Sequence, residues 1–138
     1  FIVMLMKAYG LEPDENIEDN FADAGNTYYT GYLAAAKRLG ITAGTGNNMF
    51  GPDREITRQE MFTMLYNTLK VIGKLPEARG DKTMSMFTDA GEISPWASDA
   101  VRYLVQAGMI NGSNGRLLPK ETATRAQMAQ ILFSLFVK

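Results

Sequence analysis

The feature that most constrains this chain is that it repeats itself. Phe21-Ala22-Asp23-Ala24-Gly25 returns as Phe87-Thr88-Asp89-Ala90-Gly91, and "YYTGYLAAAKRLGITAG" (28–44) returns as "WASDAVRYLVQAGMING" (96–112). Pro52, Thr57, Arg58 and Leu65 return as Pro119, Thr124, Arg125 and Leu132, so every match falls 66 to 68 residues later. A chain built this way makes its core by stacking units whose apolar faces cannot be buried alone. Phe1, Met4 and Leu5 fall in the register of Met61, Met64 and Leu65, which places the tail of a further copy before the two complete ones. The opening "FIVMLMKAYG" accordingly reads as the middle of a helix. It has no charged leader, no cleavage signal and a lysine at position 7, so it reads as neither a signal peptide nor a membrane span. A fragment or processed product is expected.

The repeat divides the chain into a truncated first copy with its connector (1–20), a second copy (21–73), a linker (74–86) and a third copy (87–138), all expected in one compact domain. Each complete copy reads as loop, short helix, glycine-rich turn and longer helix. Ser94-Pro95-Trp96 opens a short helix, with serine at the cap and proline in the first turn, and Ala97, Ala100, Val101 and Leu104 follow at helical spacing. Gly108 and Gly40 close the short helices, since glycine accepts the left-handed conformation there. Thr57 with Glu60, and Thr124 with Gln127, have the spacing of a capping box at the start of the longer helices. Met61, Leu65, Leu69 and Ile72 form one face of the first of these, as Met128, Ile131, Leu132 and Leu135 do of the second and Ile2, Leu5 and Tyr9 do at the start of the chain. The expected class is all-α, with a central three-helix bundle.

Composition narrows the chemistry. The chain has 138 residues, no cysteine and no histidine, which excludes Ser-His-Asp and Cys-His catalysis and the usual zinc sites. A net charge of -1 with both signs interspersed offers no footprint for nucleic acid or an anionic membrane. Gly44-Thr45-Gly46 lacks the rest of a phosphate loop, and "NNMFGPDRE" lacks calcium-loop spacing. Neither a metal nor a cofactor is expected. Met4, Met6, Met61, Met64 and Met128 read as adaptable core.

Arg58 and Arg125 are the unexpected residues. An arginine in the first turn opposes the helix dipole, at a cost of up to about 1 kcal/mol. Nothing in the helix itself gives it a structural reason to recur. A bound anion would reverse the balance, because the helix start offers unpaired amides and the guanidinium a planar fork matched to a carboxylate. The alternative for each arginine is a surface salt bridge to Asp23, Asp89 or Glu55. Trp96 and Tyr28, at the head of the short helices, either pack in the core or face a ligand. Gly44 and Gly112 let backbone amides approach a ligand. Asp23 and Asp89 serve the loops as caps or touch the ligand, and Thr57 and Thr124 are caps first and ligand donors second.

Taken together, "FTDAGEISPWASDAVRYLVQAGMINGSNGRLLPKETATRAQMAQILFSLF" resembles an S-layer homology (SLH) motif almost end to end, and "FADAGNTYYTGYLAAAKRLGITAGTGNNMFGPDREITRQEMFTMLYNTL" resembles a second. The resemblance rests on Phe-x-Asp, Trp-Ala, Gly-x-x-x-Gly, Pro and the Thr-Arg signature. It departs from the family at Gln59, where alanine is usual, and at Gln127, where glutamate is usual; Tyr28 stands in for the tryptophan. The resemblance implies three motifs in a pseudo-threefold arrangement, with grooves between adjacent motifs. It also implies a noncatalytic anchor, secreted to the bacterial cell surface, that binds secondary cell wall polysaccharide attached to peptidoglycan, often through a pyruvylated sugar. On that reading the ligand-binding residues are Arg58, Arg125, Thr57, Thr124, Trp96, Tyr28, Gly44, Gly112, Asp23 and Asp89. Any catalytic domain of the parent protein is expected outside these residues.

Two other classes compete. A structural or protein-interaction scaffold of a surface layer would keep the repeats without binding glycan. A glycosidase would use a carboxylate pair drawn from Asp23, Asp89 and Glu60. Asp23 and Asp89 occupy matching places in different repeats, which argues for structure rather than catalysis.

Overall fold

The computed structural model describes residues 1–16, 18–77, 86–110, 112 and 114–136, and side chains through residue 133. Most of the linker (residues 78–85) lies outside this set, as does the Leu135 side chain assigned to a helix face. Among the described residues five α-helices account for the regular structure, α1 (Ile2–Ala8), α2 (Thr30–Leu39), α3 (Arg58–Val71), α4 (Pro95–Gln106) and α5 (Arg125–Phe136), with a 3-10 turn at Ala90–Glu92. Among the described residues there is no sheet, only isolated bridges, and the class is all-α as the periodicity predicts.

The chain forms two compact units, Phe1–Arg54 and Glu55–Lys138. In the first, α1 packs on α2. Ile2, Leu5 and Met6 from α1, and Leu33 with Ala34, Ala35 and Ala36 from α2, are buried. Gly40, at φ 78°, closes α2 in the left-handed conformation expected of it. The acidic connector is held onto α2. Arg38 grips Asp14 in two parallel bonds of 2.9 and 2.8 Å, and the Asp14 N–H donates to the Gly31 carbonyl at 3.0 Å. A Cβ on Gly31 would lie 2.9 Å from both the Asp14 carbonyl oxygen and Pro13 Cβ, so this crossing requires glycine.

In the second unit α3 packs on α4. Met61, Leu65 and Leu69 of α3 and Ala97, Ala100, Val101 and Leu104 of α4 are buried at the predicted spacings. The Tyr66 and Tyr103 rings meet at 5.6 Å, and the Tyr103 hydroxyl donates to the Pro76 carbonyl at 2.6 Å. In each unit the closing helix of one copy therefore lies against the opening helix of the next. The packed pairs straddle the sequence repeats, and the first unit ends at Arg54, inside the second copy.

Both capping boxes form. The Glu60 and Gln127 amides donate to the hydroxyls of Thr57 and Thr124 at 3.3 and 3.1 Å, and both side chains reach back to the threonine N–H. Thr57→Ala is expected to destabilise the second unit by about 1 kcal/mol, measured as a lower urea midpoint with an unchanged slope. Ser94 differs from the expectation. It occupies the N-cap position of α4, but its side chain makes no capping bond, for a reason that appears below.

Candidate functional site

The repeated Phe, Asp and Gly build one device in each unit. In the second unit Asp89 is only 4% exposed, and its two carboxylate oxygens accept the N–H groups of Leu117 and Leu118, each at 2.8 Å. In the first unit Asp23 accepts from Phe50 and Gly51 at 2.8 and 2.7 Å. Burial raises the Asp89 carboxyl, but the two amides, helped by Arg116, outweigh it and hold the group below the usual carboxylate range. The Phe50 and Gly51 amides depress Asp23 in the same way. Beneath each loop lies the phenylalanine of the Phe-x-Asp motif. A Cβ on Gly112 would sit 2.6 Å from Phe87 Cε1 and 2.7 Å from the Arg116 carbonyl oxygen, and one on Gly44 would run into the Met49 carbonyl and the Phe21 ring. The glycines make room for the ring, and the aspartates hold the loop over it.

Arg58 is placed against that held loop. Its Nε donates to the Leu117 carbonyl at 2.9 Å, and its guanidinium lies over the Phe62 ring, 5.3 Å from the centroid. Burial pushes the guanidinium down from its ordinary value, while the Asp89 charge opposes the shift. The backbone is engaged too. The Arg58 N–H donates to the Glu121 carbonyl at 2.8 Å and the Gln59 N–H to the Pro119 carbonyl at 2.9 Å, while Thr57 pairs with Thr122 and the Ala123 N–H reaches the Ile56 carbonyl.

Two expectations are corrected here. The start of α3 does not offer unpaired amides, because loop carbonyls and the Thr57 hydroxyl take them. Arg58 also has a structural role, and its partners are a carbonyl and a ring rather than the surface salt bridge considered for it. The sequence missed both because backbone carbonyls carry no residue signal. The Arg58–Phe62 spacing of one helical turn was legible and could have suggested the ring contact.

Arg125 is different. Ala129 occupies the register of Phe62, so no ring lies one turn away. Arg125 and Thr124 are exposed. Among the described residues, neither the Arg125 guanidinium nor the N–H groups of Arg125 and Ala126 meet a partner. Among the described residues the third-copy helix start therefore keeps the open arrangement that the second has closed. The aromatics also stand outside the core. Trp96 is 57% and Tyr28 79% exposed, with Tyr28 edge-on to Tyr29 at 5.3 Å. Each lies within its own unit. No described helix is long and apolar enough to cross a membrane.

Repeated helix and loop segments, with signature residues gathered at helix starts and loop clamps, define a repeat-built module. The sequence profile of the S-layer homology domain matches residues 20–62 and 87–129, more than half of the chain. The chain belongs to the S-layer homology domain family. It is 32% identical over its whole length to an exoglucanase, XynX, of Acetivibrio thermocellus, and covers 12% of that protein. It is 30% identical over 94% of its length to the S-layer protein sap of Bacillus anthracis, covering 15% of it. It is 31% identical over its whole length to an amylopullulanase of Thermoanaerobacterium thermosulfurigenes, covering 7% of it. The chain thus spans a small part of each relative.

Proposed function

We propose that these residues form a noncatalytic anchor that binds secondary cell wall polysaccharide at the bacterial cell surface, with a carboxylate of a pyruvylated sugar as the contacted group. One observation carries the reading. The same stretch recurs in proteins named as an S-layer protein, an exoglucanase and an amylopullulanase, and what it contributes to all three is not the activity that distinguishes them. Attachment is a function that all three can share.

The open helix start at Arg125 and Thr124 is the first candidate for the carboxylate. The guanidinium supplies a planar donor fork, and the Arg125 and Ala126 amides, which meet no partner among the described residues, add positive potential at the same end. Trp96 and Tyr28 offer exposed apolar rings to sugar faces. Arg58 has less capacity left for a ligand, since its Nε is already engaged.

Cosedimentation with purified cell walls tests the reading. Pelleting is expected with native walls and is expected to disappear once the pyruvylated polymer is removed; equal pelleting in both would overturn it. Arg125→Ala is expected to weaken wall binding by about tenfold, the loss of one charge-assisted contact, with no change in melting temperature. Arg58→Ala is expected to lower the melting temperature, because it releases the Leu117 carbonyl and uncovers Phe62. The internal engagement of Arg58 is the one observation that favours a scaffold without glycan. Undiminished wall binding by a folded Arg58→Ala, Arg125→Ala double variant would support that alternative.

A further inference from the structure

Gln59 is a polar side chain that the functional reading leaves without a task. It is buried, at 4% exposed, in the first turn of α3. Its amide makes a reciprocal pair of bonds to one residue: Nε2 donates to Ser94 Oγ at 2.9 Å, and Oε1 accepts the Ser94 N–H at 2.9 Å. This pairing explains the missing cap on α4, because the Ser94 hydroxyl that would cap its own helix is turned toward Gln59 instead. The start of α4 is thereby tied to α3, and through Arg58 and the Gln59 N–H to the loop that Asp89 holds. Trp96, the only tryptophan in the chain, lies two residues after Ser94 and directly after Pro95. Proline fixes its own φ, so little backbone freedom separates the tied serine from the exposed indole. In the third copy, the register of Gln59 is held by Ala126, whose methyl group can make no such bond.

We propose that Gln59 is a positioning residue for glycan recognition, one that fixes Trp96 as a sugar platform by clamping Ser94. The proposal rests on the glycan-binding reading above and adds a residue that touches no ligand. A buried amide bonded on both faces to one residue holds that residue in a single orientation, since any rotation leaves a buried donor or acceptor unpaired. An indole that is already held in place loses less freedom when a sugar stacks on it, and pre-organisation of that kind raises affinity without adding a contact.

The test uses the single tryptophan as its reporter. The chain and its Gln59→Met variant, which keeps the volume and loses both bonds, are titrated with a pyruvylated monosaccharide glycoside by calorimetry and by Trp96 emission. For the unaltered chain, heat of binding and a shift in emission are expected together. For Gln59→Met we expect affinity weakened by about tenfold, a smaller emission shift at saturation, and more efficient acrylamide quenching of the free indole, with helix content unchanged. Equal affinity and equal emission shift in the two proteins would overturn the positioning role while leaving the anchor reading intact. No binding by the unaltered chain would remove the anchor reading and this proposal with it. If Gln59→Met fails to fold, Ser94→Ala decides, because it removes the hydroxyl bond alone. It is expected to show the same changes at smaller size, and unchanged behaviour would overturn the proposal.

Discussion

Gly112→Ala is expected to destabilise the second unit by about 2–4 kcal/mol, roughly 1 from forcing a side chain into the left-handed region and the rest from overpacking. Gly112 has φ 71°, and a methyl group there would meet the Phe87 ring at 2.6 Å and the Arg116 carbonyl oxygen at 2.7 Å. Neither neighbour yields easily. The carbonyl is backbone, and the ring is buried beneath the loop that Asp89 holds. Gly108 is the natural control, because it has φ 76° with nothing within 4 Å of its would-be Cβ. Gly108→Ala therefore carries the conformational cost without the collision, about 1 kcal/mol. Urea unfolding of the two variants separates the causes, and equal losses would show that the Phe87 ring moves aside freely. Gly44→Ala is expected to behave like Gly112→Ala in the first unit, against the Phe21 ring and the Met49 carbonyl.

The parts of the fold that follow local rules were legible from residue types alone. The capping boxes at Thr57 and Thr124 need only a spacing of three, and the face of Met61, Leu65 and Leu69 needs only helical periodicity. The clamps were not legible. Asp89 reaches Leu117 and Leu118, and Arg58 reaches the Leu117 carbonyl; in each case the partner is backbone, which every residue possesses. Gly112 was legible as important but for another reason, because its collision depends on where the Phe87 ring lies. Leu118 shows the limit most sharply. It adopts φ 53° in the register where the first unit places Gly51, at φ 75°. The two units share a backbone conformation that only one advertises by residue type. In the third copy the conformation is held on a leucine, at a strain of about 1 kcal/mol or more, beside the Asp89 carboxylate that accepts its N–H. The same division applies to the candidate site. Arg125 opens α5 where the repeat places it, whereas the exposure of Trp96 and Tyr28 and the engagement of Arg58 by a loop 59 residues away depended on the fold.

Asp89→Ala is expected to destabilise the second unit at neutral pH by about 3 kcal/mol, the scale of two charge-assisted hydrogen bonds lost together with a buried donor left unpaired. Its effect should spread along the loop. Without the carboxylate Leu118 loses the bond to its N–H and keeps only that of the Glu121 N–H to its carbonyl, and the Leu117 carbonyl that receives Arg58 is held less firmly. The pH dependence gives the sign. The folded carboxyl lies below the unfolded value of about 3.9, so its contribution is complete above that value and disappears as pH falls through the folded one. The stability difference between the unaltered chain and Asp89→Ala should therefore be constant from neutral pH down to about 5 and should narrow below about 4. Asp89→Asn separates charge from geometry. It keeps one acceptor oxygen, turns an NH2 group toward the other amide, and should lose about 2 kcal/mol at neutral pH with a similarly reduced acid dependence. Denaturant melts of the three proteins across this range measure both quantities. A difference that stays constant into acid would mean that the carboxylate charge contributes nothing, and that the protonated Asp89 side chain holds the loop equally well.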